Sequence, residues 1–258
     1  MVRSFYTAVS GMIVQQAKQD VLSNNLANAN TVGFKSDDLF SKAYDDATIQ
    51  NYAKQVNGVH QRTILGTLNL GSKIDDTTTD FTGGDIQATN SDKDFAIDGR
   101  GFFTVYRDGV GAQNYYTRDG HFHVNMNGYL VNDSGDYVMG TNLNTGADER
   151  INIGNGTVAC DNLGNLAVDG KPAYKLDLVD FNDYSTLKKV GDNLYTGQNP
   201  IRNATVNVEN KALEGSNVNI MTGMTDMMTA MREFESDQKV VQEIDGTVSK
   251  AVNEVGKV

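Results

Sequence analysis

The sequence predicts an α+β protein: long N- and C-terminal helices pairing as a coiled coil, with a central antiparallel β-rich domain. Three observations carry that prediction. Apolar residues recur at three- and four-residue steps over residues 3–30, and at seven-residue steps from Met227 to Val255. Between them, turn dipeptides punctuate the chain at short intervals, as in all-β segments.

The first helix is marked by Val2, Phe5, Val9, Met12, Ile13, Ala17, Leu22, Leu26 and Ala29. Residues 3–30 would make a rod roughly 42 Å long at 1.5 Å per residue. Gly11 interrupts it, at a cost of about 1 kcal/mol relative to alanine. That glycine is either a tolerated defect or a place where another helix comes close. Four asparagines, Asn24, Asn25, Asn28 and Asn30, crowd the end of the helix, although asparagine competes for backbone hydrogen bonds there. Gly33 stands where the helix should stop.

The C-terminal helix is expected from about Ser216 to Val255. Met227, Phe234, Val241, Val248 and Val255 repeat every seven residues. Met224, Met231 and Val252 fill a companion position that Gln238 and Asp245 interrupt, which is coiled-coil spacing. An amphipathic helix on a globular core is the commoner source of such a stripe, but this one is far longer than the usual 8 to 20 residues. Residues 1–36 hold three bases against one acid, net +2, whereas residues 214–258 hold four bases against eight acids, net −4. The two ends are therefore matched in charge, although exposed pairs add little stability each.

Between the helices, "DG" recurs at 98–99, 108–109, 119–120 and 169–170. "HFHVNMNGYLVND" reads as a hairpin in which Phe122, Val124 and Met126 share one face, Asn127-Gly128 makes a type I′ turn, and Tyr129 and Val131 resume the alternation. "GFFTVYRDG" and "YKLDLVDF" read as further strands of an antiparallel barrel or sandwich. Residues 37–84 read as an extended linker with a short helical piece around "LFSKAYDDATI".

The composition excludes several functions. A net charge of −11 is wrong for a general nucleic-acid binder or a polybasic lipid anchor. The single cysteine, Cys160, cannot form an internal disulfide. No apolar run approaches a membrane span, and the N-terminus lacks a cleavable secretory signal, which by themselves suggest a cytoplasmic protein. No phosphate loop, zinc-protease or nucleophile-elbow motif is present, and "DGRGFF" lacks the third glycine of a dinucleotide fingerprint. His121 and His123 share a strand face, but a structural zinc needs two more ligands, and His60 and Cys160 lie far off in sequence. "DNLGNLAVDG" lacks the spacing of a calcium loop. The residues nominate no catalytic group, cofactor or metal.

"SGM" at 10–12, "SNNLANANTVGFK" at 23–35, "FAIDGRGFFTV" at 95–105, "YTRDGHFHVNMNGYLV" at 116–131 and "LEGSNVNI" at 213–220 closely resemble the flagellar hook-basal body rod proteins of bacteria. "AMREFE" at 230–235 departs from the family's usual glutamine-arginine pair followed by tyrosine, though Arg232 and Phe234 keep similar chemistry. The resemblance implies a structural subunit, not an enzyme, that polymerises into a hollow helical tube carrying torque from motor to hook. It implies an N-terminal helix of an inner coiled-coil layer (1–36), the linker (37–84), a β-rich outer domain (85–213) and a returning inner helix (214–258).

Expected partners are further copies of the chain, adjacent rod and hook proteins, and the flagellar type III export apparatus. Nucleic acid and direct membrane insertion are not expected. Export unfolded, without a cleaved signal, would place the protein in the extracytoplasmic basal body. Expected assembly residues are Phe5, Val9, Gly11, Met12, Asn24, Asn25, Asn28, Asn30, Gly33, Phe34, Met224, Met227, Met231, Phe234, Val241 and Val248. The alternative is an oligomeric coiled-coil display or adhesion module with a β-domain head.

Overall fold

The computed structural model describes residues 2–56, 59–109, 113–154, 156–202 and 206–255. Met1 and residues 256–258 of the predicted terminal segments lie outside them. The chain divides into two units. One comprises Met1–Leu26, Asp37–Thr78 and Ile220–Val258, and the other Ala27–Ser36 and Thr79–Asn219.

The first unit holds both long helices, α1 (Val2–Ala27) and α2 (Ile220–Lys250), the latter running into a π-helical turn at Ala251–Val255. The two helices pair, but the predicted coiled coil is not what they form. A coiled coil buries its two seam positions as knobs in holes. Here Met224, Met231 and Val248 are exposed, and Met227, Phe234 and Val241 are only half-buried. The buried residue of α2 is Ala230, which belongs to neither seam position. The helices come close at Gly11, where an added Cβ would lie 2.7 Å from the Asp237 carboxylate. Gly11 therefore faces a side chain of the other helix and not open space. The covered face of α2 carries Ala230 with half-buried Met227, Phe234, Asp237 and Val241, so one predicted seam position is only partly covered and its companion, Met224 and Met231, is left exposed.

Strands make up the rest of this unit. β1 (Asp37–Ala43) pairs with β4 (Ser72–Thr79), and β2 (Ala47–Val56) with β3 (Val59–Leu68) as a long antiparallel hairpin. The short helix expected around "LFSKAYDDATI" is instead the end of β1 and the start of β2, joined by residues 44–46. Phe40 in the first strand and Thr48 and Ile49 in the second suit a pleated surface. What selects that state is pairing with remote strands: β4 for β1, with a Lys42–Asp75 ion pair across them, and β3 for β2. Ile64 and Leu65 of the hairpin stay exposed.

The second unit is antiparallel in all the pairings described. A sheet of 13 strands is built around Phe102–Arg107 and Tyr137–Asn142, flanked by two small two-stranded pairings, Phe95–Asp98 with Asn207–Asn210 and Ile86–Ala88 with Ala212–Glu214. Strand Phe102–Arg107 is covered on both faces. Phe103 and Val105 enter a core with Phe95, Ile97, Phe122, Leu130, Ile151 and Leu178. Phe102 enters a second, aromatic cluster with Tyr116, Phe181 and Tyr195. Successive strand side chains point to opposite faces, so two cores follow from one strand.

The hairpin in "HFHVNMNGYLVND" forms with Leu130 opposite Val124 and Val131 opposite His123. Its turn is wider than the predicted type I′. Gly128 takes a positive φ of 83° while Asn127 does not, and Asn125 accepts from Gly128 N at 3.0 Å. A three-residue loop with glycine in the left-handed position has this form. The extra residue puts Met126 in solvent and Leu130, instead of Tyr129, into the core.

Candidate assembly interface

The asparagine-rich end of α1 is used mainly inside the chain. In the first unit, Asn25 is buried. Its Nδ2 donates to the Asp37 carbonyl at 2.8 Å, and its Oδ1 accepts from Asp37 N at 3.0 Å. One amide thus satisfies both backbone groups of a single residue, as a strand partner would. The helix ends at Ala27, earlier than the sequence suggests. In the second unit, Asn28 accepts from Thr31 N at 3.1 Å through its carbonyl and from Thr31 Oγ1 at 3.2 Å through its side chain. This is the local competition with helical bonding that asparagine favours.

Residues 33–36 then enter the body of the second unit. Gly33 has φ 65°, and its N–H donates to the Glu214 carbonyl at 2.8 Å. An added Cβ would lie 2.5 Å from the backbone of Arg118 and Asp119, so glycine is required by both conformation and space. Asn217 completes the junction. It accepts from Ser36 N at 2.8 Å and donates to the Asp80 carbonyl at 2.9 Å.

At the centre is a buried charge cluster. Lys35, Arg118 and Glu214 are 0%, 1% and 1% exposed. Lys35 Nζ donates to Glu214 Oε1 at 2.6 Å and to the Thr82 carbonyl at 2.7 Å. Arg118 donates to Glu214 Oε2 at 3.2 Å, and Gly84 N to Oε1 at 3.0 Å. The guanidinium also lies 5.1 Å from the Phe102 ring centroid. Two cations share one carboxylate, so Glu214 is the group on which the others depend. Burial pushes the Lys35 pKa down, and Glu214 opposes that shift. Around the cluster, Lys189 Nζ donates to the Lys35 carbonyl at 3.1 Å and stands 4.0 Å over the Phe34 ring. Asn193 donates to the Val32 carbonyl at 3.1 Å.

Lys35 and Glu214 are 179 residues apart in sequence. Their pairing clasps the segment that follows α1 to the segment that precedes α2, both within the second unit. Sequence reading passed over Lys35, Arg118 and Glu214. Each sits beside a glycine or turn residue with no periodic pattern, and nothing local marks a charge as buried.

The expected assembly residues sort into two groups. Asn25, Gly33 and Phe34 are buried and committed to contacts within the chain. Phe5, Asn24, Asn30, Met224, Met231 and Val248 are exposed, whereas Val9, Gly11, Met12, Asn28, Met227, Phe234 and Val241 are half-buried. Cys160, the lone thiol, has its pKa raised to about 12 by burial, which leaves it a poor nucleophile at neutral pH.

Comparison with known proteins finds matches at both ends and in the middle of the chain. Residues 5–35 match the flagella basal body rod protein family, 96–170 the flagellar hook protein FlgE/F/G D1 domain, and 209–254 the flagellar basal body rod FlgEFG protein C-terminal region. The flagellar basal-body rod protein FlgG of Bacillus subtilis is 31% identical over 98% of this chain and 99% of its own length. FlgF of Caulobacter vibrioides is 30% identical over 100% of both chains, and the hook-basal body complex protein FlhO of B. subtilis is 28% identical over 100% of both. With matches at both ends and in the middle, and relatives aligned over nearly its whole length, this chain belongs to the flagellar basal-body rod protein family and is a structural subunit of that rod.

Proposed function

We propose that the chain works by polymerising into an open, hollow helical tube that transmits torque from motor to hook, through the apolar faces of α1 and α2. The carrying observation is the exposed group Met221, Met224, Met228 and Met231 near the start of α2, with Val248 and Val252, the last 66% exposed, at the far end and Phe5 and Ile13 on α1. Exposed apolar stripes of this extent mark surfaces that meet a partner. Head-to-tail contacts between unlike surfaces that do not close a ring give an open helical polymer, and the opposite net charges of the chain's two ends suit such contacts. Phe5, Val9, Met12, Met224, Met227, Met231, Phe234, Val241 and Val248 are the assembly residues in this reading, with Asn24 and Asn30 as polar contacts. Adjacent rod and hook proteins are the axial partners. The subunit reaches its extracytoplasmic place by unfolded type III export.

The test is growth of filaments from purified protein, followed by light scattering and electron microscopy, for the chain and for a Phe234→Asp/Val241→Asp double variant. Loss of growth with an unchanged melting transition of the β-rich unit is expected. Filaments from the double variant would refute assembly through this stripe.

A further inference from the structure

Methionine is concentrated in one place in this chain. Five of its nine methionines, Met221, Met224, Met227, Met228 and Met231, fall at the start of α2. Met221, Met224, Met228 and Met231 follow steps of three, four and three residues. At 3.6 residues per turn those steps set them on one side of the helix, over roughly 15 Å of its length. They are 76%, 48%, 49% and 46% exposed, so solvent reaches each side chain. Met227 between them is half-buried. α2 holds no leucine, although leucine is as good a helix former and as apolar. What a thioether adds is chemistry.

A thioether is apolar until it is oxidised. Its sulfoxide is polar and carries a strong hydrogen-bond acceptor, which disrupts methionine-rich interfaces. Buried between copies, that oxygen needs a donor. Of the charged side chains along residues 221–235, Asp226, Glu233 and Glu235 only accept, and Arg232 alone can donate. The hydroxyls of Thr225 and Thr229 are already spent on helix carbonyls, at 2.8 Å to Met221 and 2.9 Å to Thr225. The lone thiol does not compete for oxidant, because burial raises the Cys160 pKa to about 12 and leaves little thiolate.

We propose that Met221, Met224, Met228 and Met231 form a peroxide-sensitive modification site, oxidised to sulfoxides in the free subunit, and that the sulfoxides block assembly with further copies of the chain. The block rests on the reading of this α2 face as an assembly surface. In each step the sulfur lone pair attacks one oxygen of hydrogen peroxide and the O–O bond breaks. The departing hydroxide takes the proton of the transferred oxygen and leaves as water. Sulfur is oxidised by two electrons and the peroxide is reduced. Once copies cover the face, the thioethers are shielded, so an assembled subunit resists the oxidant. Methionine sulfoxide reductases reverse the change.

The experiment treats the purified full-length protein with hydrogen peroxide and reads each methionine by mass spectrometry of its peptides. Light scattering follows filament growth in the same samples. In the free protein the four should gain oxygen at a rate similar to fully exposed Met126, and at least ~5-fold faster than half-buried Met139. The critical concentration for growth should rise at least ~10-fold and recover after treatment with methionine sulfoxide reductases. In a Met221→Leu/Met224→Leu/Met228→Leu/Met231→Leu variant, peroxide should shift that variant's own critical concentration by less than about 2-fold. Oxidation of the four no faster than that of Met139 would overturn the site. So would unchanged growth with all four present as sulfoxides, or an equal shift in the leucine variant. No filaments from untreated protein would instead remove the assembly reading and the block with it, leaving the mapped rates to decide the oxidation site.

Discussion

The two units of this chain answer the same physical demand in opposite ways. In the β-rich unit, Phe95, Phe103, Leu130 and Ile151 are sealed and two cores lie on opposite faces of one strand. In the helical unit, Val14, Asn25 and Ala230 are the buried residues among those described, while Met221, Met224, Met228, Met231, Val248 and Val252 face solvent. Hydrophobic residues are abundant in both. The difference is that one unit closes its apolar surface within a single chain and the other leaves it open.

The sharpest way to break this contrast is to attack the clasp. Replacing Glu214 with Gln leaves two buried cations without their carboxylate, and breaking a buried ion pair from one side costs about 3–5 kcal/mol. Urea unfolding followed by near-UV dichroism should show that loss. A midpoint within experimental error of the parent would mean that the cluster is not desolvated as its geometry indicates. Next come matched truncations in the two units. Leu130→Ala empties a fully buried site and should cost about 2–5 kcal/mol. Met231→Ala, at an exposed helix site, should stay within about 0.5 kcal/mol in the monomer. Equal costs would erase the distinction between the units.

A smaller loss, of about 1–3 kcal/mol, is expected for Gly33→Ala, which meets both a positive φ and the Arg118 backbone. The smallest effect concerns pH. Burial holds the Lys35 pKa in the folded protein below its value in the unfolded chain. The charged lysine is therefore a cost at neutral pH, relieved as pH rises through the folded pKa toward about 10.4. The stability of the parent relative to Lys35→Met should accordingly increase with alkaline pH. A difference that shrinks with pH would reverse the sign assigned to burial.

Some elements were legible because they depend only on near neighbours in sequence. The three- and four-residue steps placed α1, and the apolar repeat placed α2. "GFFTVYRDG" was legible as a strand, whereas the helix that Gly33 was expected to close ends earlier, at Ala27. The motifs at 23–35, 95–105, 116–131 and 213–220 pointed to the rod family. The heptad misled because spacing states which residues share a face and not what covers that face. Met227, Phe234 and Val241 are only half-covered, beside Ala230 and Asp237, and their companions Met224 and Met231 stay exposed. "LFSKAYDDATI" misled because the strands that fix its state, Ser72–Thr79 and Val59–Leu68, are remote in sequence.

By itself, then, the sequence determined the long helices, the position of the hairpin at 122–131 though not its turn type, and the family, all of which are written in local spacing. The tertiary structure alone decided which charges are buried and which apolar stripes are left uncovered. Lys35, Arg118 and Glu214 look like ordinary surface residues until a fold brings them within hydrogen-bonding distance across 96 and 179 residues. Burial is a property of what surrounds a side chain, and chain-distant surroundings have no local signature.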